Sequence, residues 1–219
     1  MSAFPESFPA LIAPVLLELE MELSTDQLHL LSRHFQLLMQ WNARMNLTSV
    51  RDPRRIVSRH FGESLFLAKT LGLRSETVAD LGSGAGFPGF PLAVCCPFAR
   101  VTLVESVMKK AAFLKELSRL VTNVDVFHGR LLDLCRDFDW ATVRGVSCGE
   151  ILPDITTKAR NVAVLTGKGA ARRLETPNGT RWLGTHQGAQ WSAFRRFTFG
   201  SAVLLVASRR ECSTWNIPS

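Results

Sequence analysis

Glycines and two acids form the stretch of this sequence whose residue types could do chemistry. In "VADLGSGAGFPGFPLA", the carboxylate Asp80 ends an apolar run, and glycines follow at positions 82, 84, 86 and 89. A second acid, Glu105, ends the next apolar run, "VTLVE". Glycines at this spacing let a backbone approach a ligand closely. The neighbouring acids then restrict which ligand can bind.

Two classes of nucleotide cofactor fit such a loop, and Asp80 distinguishes them. Gly84, Gly86 and Gly89 match the G-x-G-x-x-G pattern, which by itself favours NAD. The pyrophosphate of NAD would be repelled by the carboxylate in a site of reduced dielectric. S-adenosylmethionine carries an ammonium and a sulfonium and no phosphate, so the same acid attracts it. Glu105 can accept hydrogen bonds from both ribose hydroxyls. The pattern predicts an S-adenosylmethionine site; the alternative is that the glycines only form a tight turn.

The elements that must position this loop change in type along the chain. Apolar residues at helical spacing predict helices over 10–22 and 25–41, the second capped by Ser24, and Pro53 opens a helix through about Leu71. Strands are then predicted at 77–81, 100–105, 124–127, within 138–146 and at 161–169, with helices over 90–96 and 108–120 and an antiparallel hairpin around Gly200. This alternation predicts an α/β fold with a mostly parallel sheet and helices on both faces. A helical extension is expected at 1–75 and a sheet domain at 76–219.

Composition and charge indicate the compartment and the kind of partner. The 219 residues include 26 Lys and Arg against 19 Asp and Glu, a net charge of +7. Residues 151–219 hold 10 basic and 3 acidic side chains, which suggests a polyanion such as nucleic acid, or alternatively a solvated face. Five cysteines without a CxxC pair indicate neither a disulfide framework nor a metal site. We read no signal peptide and no apolar run long enough to cross a bilayer, so a cytoplasmic protein is expected.

Several motifs occur in a fixed order along the chain. The first two are "DLGSGAGFPGFPLA" and "LVESVMKKAAFLKEL". Upstream lies "WNARMNLTSVRDP", followed by His60 and by "ESL" at 63–65. Downstream come "NVDVFHGR", "FDWATVRG" and the "GKG" at 167–169. Together these motifs resemble the bacterial small-subunit rRNA methyltransferase G family, also called GidB or glucose-inhibited division protein B. The resemblance covers roughly residues 30–170, and the upstream motif is specific because general methyltransferases lack it.

The resemblance implies a Rossmann-like class I S-adenosylmethionine-dependent methyltransferase fold with an N-terminal helical extension. It implies methyl transfer to a guanine N7 in 16S rRNA, within the small ribosomal subunit or an assembly intermediate. Combined with the loop argument, the predicted cofactor-binding residues are Asp80, Gly82, Gly84, Gly86, Phe87, Glu105, Leu131, Leu132 and Arg144. The predicted RNA-binding residues are Arg51, Arg130, Arg144 and Lys168. Leu131 and Leu132 are expected to act through backbone groups, and they stand where the family usually has Ala-Glu.

No catalytic acid or base is predicted. Guanine N7 has an unshared electron pair in the ring plane and need not lose a proton before attack, so positioning is expected to supply the catalysis. Arg144 and Lys168 are the candidate substrate-positioning residues, and no acid in the sequence is identified as a partner for either. His60, next to Phe61 on a predicted helix, is interpreted as a packed or capping histidine. A monomer is expected.

Other functions remain compatible with the same residues. One is an S-adenosylmethionine-dependent enzyme that acts on another nucleic acid or on a small molecule. Another is a catalytically weak RNA-binding or assembly factor that keeps the fold. An NAD-linked oxidoreductase is the least favoured because of Asp80.

Overall fold

The structure is a computed structural model that describes residues 7–145, 155, 157–174 and 195–209. Its helices are α1 (Phe8–Glu18), α2 (Thr25–Asn42), α3 (Pro53–Arg55), α4 (Gly62–Leu71), α5 (Gly89–Cys95), α6 (Met108–Ser118) and α7 (Lys168–Leu174), with a π-helical stretch at Ile56–Phe61 and a 3-10 turn at Leu131–Asp133. Its strands are β1 (Thr77–Leu81), β2 (Arg100–Glu105), β3 (Val124–His128), β4 (Phe138–Arg144), β5 (Ala159–Gly167), β6 (Arg195–Phe199) and β7 (Ala202–Ser208). None of the described helices is both long enough and apolar enough to span a bilayer.

Local sequence signals mark where the N-terminal helices begin and end. Ser24 caps α2 with a reciprocal pair of bonds: its Oγ accepts from Gln27 N at 3.2 Å, and its N donates to Gln27 Oε1 at 2.9 Å. Asp52 caps α3, where Pro53 takes the first helical position. From there α3, the π-helical stretch and α4 run without a break to Gly72, whose φ of 53° ends the helix in the left-handed region.

The seven strands form one sheet in the order β3-β2-β1-β4-β5-β7-β6. Neighbouring strands from β3 to β5 pair in parallel, while β7 is antiparallel to both β5 and β6. The order of the strands changes direction at β1. The strands β2 and β3 lie on one side of β1, and β4 and β5 lie on the other. In such open sheets, ligands bind beyond the carboxyl ends of the strands at the point of reversal. This point lies between β1 and β4, immediately next to the glycine loop.

Each face of the sheet is covered by its own hydrophobic cluster. One cluster joins the side chains of α1, α2, α4, α5 and α6 to alternate strand residues such as Val78, Leu103 and Trp140. The other joins α7 to the intervening residues, among them Leu81 and Val143. The N-terminal helices therefore share a core with the sheet, although the division at residue 75 stays a prediction.

The predicted architecture is confirmed, with small differences at the ends of elements. The first helix stops at Glu18 rather than continuing to residue 22, and a turn follows in which Glu20 has a positive φ of 47°. The fourth strand ends at Arg144, and the predicted extension to Val146 lies outside the described residues. The antiparallel hairpin around Gly200 is present as β6 and β7.

Candidate cofactor site

The glycine loop runs from the end of β1 to the start of α5. Gly82, Gly84 and Gly86 have φ values of 67°, 56° and 85°, a region that favours glycine over other residues. Among the described residues, a Cβ at Gly84 would meet nothing nearer than the Gly82 carbonyl oxygen at 3.7 Å, so this part of the structure leaves space beside it. A Cβ at Gly86 would lie 2.7 Å from the side chain of Leu117. The described residues thus leave space beside Gly84, while packing requires a glycine at position 86.

Asp80 lies beneath the loop and is completely buried. Its Oδ1 accepts a hydrogen bond from Thr142 Oγ1 at 2.8 Å, and its Oδ2 accepts from Gly89 N at 3.1 Å. Burial raises the pKa of Asp80 to about 6, and these hydrogen bonds oppose that rise. The group is therefore mostly ionised at neutral pH. It supplies a negative charge under the loop, as the sequence predicted. The sequence did not indicate that its oxygens would be shielded from solvent.

Glu105 is buried at the carboxyl end of β2 and holds two backbone amides. Its Oε2 accepts from Gly84 N at 3.0 Å, and its Oε1 accepts from Val107 N at 2.8 Å. Each carboxylate oxygen has two lone pairs, so both oxygens can accept one further bond. The acid thus ties the glycine loop to the turn before α6 and keeps the capacity to accept from a ligand hydroxyl.

A buried aromatic cluster supports the loop from the side of the N-terminal helices. His34, on α2, donates from Nε2 to the Ala85 carbonyl at 2.8 Å, while its buried Nδ1 has no hydrogen-bond partner among the described residues. Its ring stacks on Phe87 at a centroid distance of 4.6 Å, and Phe61 contacts Phe87 edge-on at 4.9 Å. Phe87, a predicted cofactor residue, therefore places its ring in the core. Only its backbone is left for a ligand.

Arg144 was expected to have no acidic partner, and this expectation is wrong. Its Nη2 lies 2.7 Å from Glu63 Oε2 and 2.8 Å from His60 Nδ1, and its Nε lies 2.9 Å from the same carboxylate oxygen. Both charged side chains are mostly buried, with exposures of 16% and 14%. Glu63 is 81 residues away in sequence, so strand and helix periodicity gave no indication of the pair.

His60 is packed, as predicted, but it also bridges two elements. Its Nε2 lies 2.8 Å from Thr48 Oγ1, and its other nitrogen faces Arg144. Neither His60 nor Glu63 was predicted as a site residue. The signal that could have found them is their spacing of three residues on one helix, inside the motif that resembles the family.

The remaining predicted residues lie at or near the same sheet edge, with different degrees of exposure. Leu131 is buried in the second cluster, while Leu132 is 52% exposed. Asp133 accepts from Arg130 N at 2.9 Å and so closes the turn that carries both leucines. Arg130 is exposed just after β3, and Lys168 is exposed just after β5.

Arg51 stands apart from the strand ends, in the loop between α2 and α3. It is exposed, and its Nη2 donates to Asn46 Oδ1 at 3.1 Å. The structure thus brings Asp80, Glu105, Arg144 and the glycine loop together, and it leaves Arg51 on a different element.

Comparison with solved structures identifies the fold. The chain superposes on a mutant of MtNAS in complex with S-adenosylmethionine with a TM-score of 0.57 at 15% identity, over 92% of this chain and 83% of that one. It superposes on the ribosomal protein L11 methylase of Lactobacillus delbrueckii subsp. bulgaricus with a TM-score of 0.56 at 14% identity, over 69% and 78%. The fold is that of the class I methyltransferases.

Comparison by sequence identifies the family. Residues 27–194 match the family described as GidB, rRNA small subunit methyltransferase G. A protein of Leuconostoc citreum with the name "Ribosomal RNA small subunit methyltransferase G" is 34% identical over 185 residues, 78% of this chain and 77% of the relative. A protein of Desulfitobacterium hafniense with the same name is 34% identical over 205 residues, 86% and 84%. The chain belongs to the rRNA small subunit methyltransferase G family.

Proposed function

We propose that this protein transfers the methyl group of S-adenosylmethionine to the N7 of a specific guanine in 16S rRNA. The observation that carries the proposal is the buried, ionised Asp80 beneath an open glycine loop, in a chain of this family. A negative charge at this place attracts a cationic cofactor and disfavours a pyrophosphate. The site is expected to act in the cytoplasm, in a monomer, on the small subunit or its assembly intermediate.

The residues of the loop fit the cofactor. The space that the described residues leave beside Gly84 would allow close approach of a ligand to the backbone. Glu105 has an unfilled acceptor position on each oxygen for the ribose hydroxyls. Gly82, Leu131 and Leu132 would contribute backbone groups, and the exposed side chain of Leu132 offers an apolar surface to the adenine. S-adenosylmethionine, when bound, supplies the electrophilic methyl group on its sulfonium.

The RNA is proposed to reach the site from the side that carries exposed cations. Lys168 follows β5 and Arg130 follows β3, so both stand beyond strand carboxyl ends without an ion-pair partner among the described residues. Arg51 adds a charge from the N-terminal loop. These side chains would bind phosphates and fix the register of the RNA, whereas selection of the guanine requires contacts to its base edge.

The chemistry needs no general base from the protein. S-adenosylmethionine would supply a methyl carbon that the N7 lone pair can attack, and its sulfur would keep the electron pair of the broken bond and become neutral. The chain has to place N7 in line with the methyl and sulfur and to exclude competing geometries. Placement of this kind can supply several kcal/mol of the barrier, up to about 7–11 kcal/mol.

The proposal is tested with small subunits from a strain that lacks the gene. The purified protein and labelled S-adenosylmethionine are incubated with these subunits and with naked 16S rRNA, and N7-methylguanosine is mapped. Incorporation at a single guanine is expected. Calorimetry with S-adenosylmethionine and NAD tests the cofactor separately. Cofactor binding without any RNA methylation would favour a small-molecule substrate or an assembly role, and binding of NAD alone would overturn the proposal.

A further inference from the structure

We propose that His60 and Glu63 are positioning residues for methyl transfer, which act by holding the guanidinium of Arg144 in one orientation at the carboxyl end of β4. The inference rests on the proposed function, in which Arg144 lies between cofactor and RNA. It adds two side chains from the N-terminal helices to a site that is otherwise built from strand ends.

The contact between Arg144 and His60 determines the state of the histidine. A guanidinium has only donors, so at 2.8 Å the His60 Nδ1 must be the acceptor. The ring proton is then on Nε2 and is donated to Thr48 Oγ1 at 2.8 Å. Burial, together with the charge of Arg144, lowers the pKa of His60 to about 3, so the ring is neutral at physiological pH. His60 is therefore a fixed acceptor for the arginine.

Glu63 holds the same guanidinium, through its Nε and Nη2 nitrogens. Two nitrogens of Arg144, Nε and Nη2, both donate to its Oε2, at 2.9 and 2.7 Å. With both side chains mostly buried, solvent screens this pair less than a surface ion pair, and removal of one partner would leave an uncompensated charge. The plane of the guanidinium is thus fixed by contacts on one edge.

The third nitrogen of Arg144 is left for a ligand. Within the described part of the chain, Nη1 has no hydrogen-bond partner, although it carries two N–H groups. The guanidinium is also close enough to Asp80 for its charge to lower the pKa of that acid. The geometry therefore divides the arginine into an edge held by protein and a nitrogen available to the cofactor carboxylate or to an RNA phosphate.

The holding contacts are themselves anchored to the end of α2. Asn42 Oδ1 accepts from Leu47 N at 2.9 Å and from Thr48 N at 3.0 Å, and Thr48 Oγ1 accepts from Val50 N at 3.2 Å. These bonds close the loop after α2 and set the place of the Thr48 hydroxyl. A continuous series of hydrogen bonds then runs from α2 through His60 to β4.

Two substitutions of His60 separate its two hydrogen bonds. His60→Asn puts an amide oxygen near the position of Nδ1, so it can still accept from Arg144, and loses the bond to Thr48. His60→Gln puts its amide near the position of Nε2, so it keeps the bond to Thr48 and loses the acceptor. Single-turnover methyl transfer at saturating cofactor and RNA is expected to fall about 10- to 100-fold in His60→Gln and clearly less in His60→Asn. Equal rates in the two variants would overturn the role of the Nδ1 contact.

A double-mutant cycle distinguishes positioning from general support of the fold. Glu63→Gln is expected to slow methyl transfer in the wild-type background and to have no further effect in an Arg144→Ala background. Arg144→Lys serves as the second background if the activity of Arg144→Ala is too low to measure. Asp125→Asn, which removes an acid from the exposed pair with Arg136, is the matched control and should leave the rate unchanged. Each variant is also tested for thermal unfolding and cofactor affinity.

The outcomes separate this inference from the proposed function. The effects of Glu63→Gln and Arg144→Ala on the activation free energy could instead add in the double variant. That result would show that Glu63 does not act through the arginine. In that case wild-type activity on 16S rRNA still stands and only the positioning role is lost. If the wild-type protein does not methylate 16S rRNA at all, the proposed function fails first and the positioning role falls with it.

Discussion

Asp80 and Gly89 are in direct contact across the glycine loop. The Gly89 amide donates to Asp80 Oδ2 at 3.1 Å, and a Cβ on residue 89 would lie 2.6 Å from that oxygen and against Leu103. The first residue of α5 can therefore be nothing larger than glycine while the carboxylate keeps its place. The same contact closes the loop around the charge.

Gly89→Ala tests this contact. The added methyl must displace Asp80 or Leu103, so we expect the free energy of unfolding to fall by about 1–3 kcal/mol. Cofactor affinity should fall as well, because the carboxylate moves. Urea unfolding and calorimetry measure the two effects. Gly169→Ala, where no atom of the described residues lies within 4 Å of the added methyl, is the control. A Gly89→Ala protein with wild-type stability and affinity would show that the loop adjusts freely.

Glu105→Ala tests the second acid. The substitution removes the proposed acceptor for the ribose hydroxyls and the acceptor for two backbone amides of the loop. Affinity for S-adenosylmethionine should weaken by about 1–3 kcal/mol, measured by calorimetry. The control is Asp125→Ala, an exposed acid on the neighbouring strand. A loss much smaller than this range would assign the ribose contact to another residue.

His34 is expected to make stability depend on pH. Burial lowers the pKa of His34 from its ordinary value of 6.5 to about 4. The unfolded chain therefore takes up the proton first, so the contribution is fully present above about pH 6.5 and is lost as the pH falls towards 4. The total is on the order of 3 kcal/mol. His60, whose pKa is also lowered, acts in the same direction.

The matched variant is His34→Gln, which keeps a donor near the Ala85 carbonyl and does not titrate. Urea unfolding at intervals from pH 7 to pH 4.5 should give a smaller loss of stability for the variant than for the wild type. Asp80, whose pKa is raised, is unchanged in both proteins and cancels in the difference. If the free energy of unfolding falls equally with pH in both proteins, His34 can be protonated in the native state without loss of stability.

Lys168→Ala tests the side of the site assigned to RNA. We expect an intact fold, unchanged cofactor affinity, weaker RNA binding and slower methylation of 16S rRNA. The salt dependence of RNA binding should also become shallower by about one unit of slope, since one phosphate contact is lost. Arg100→Ala is the control, because Arg100 begins β2 and so lies at the amino ends of the strands, whereas Lys168 lies beyond the carboxyl end of β5. Methylation at the unmutated rate would remove Lys168 from the RNA surface and favour the small-molecule alternative.

The elements and the loop could be predicted because their signals are local. Strand–helix alternation, the Ser24 cap and the glycine spacing each depend on residues within a few positions of one another, and all are present in the structure. The surroundings of the site depend on contacts between distant segments. Glu63 reaches Arg144 and His34 reaches the glycine loop only because α2 and α4 pack on the sheet, and no spacing in the sequence reports that packing.

The π-helical stretch at Ile56–Phe61 explains how one helix can serve both the core and the site. Positions 56, 60, 64 and 68 are all buried, a repeat of four residues. An α-helix turns about 100° per residue, so four residues turn about 400°. Side chains at this spacing would therefore move about 40° around the helix at each step and soon face solvent. The wider π turn absorbs part of this drift. Deletion of one residue at 57–59 would therefore shift the phase between the two parts of the helix, and Ile56 could not stay in the core while His60 and Glu63 face Arg144.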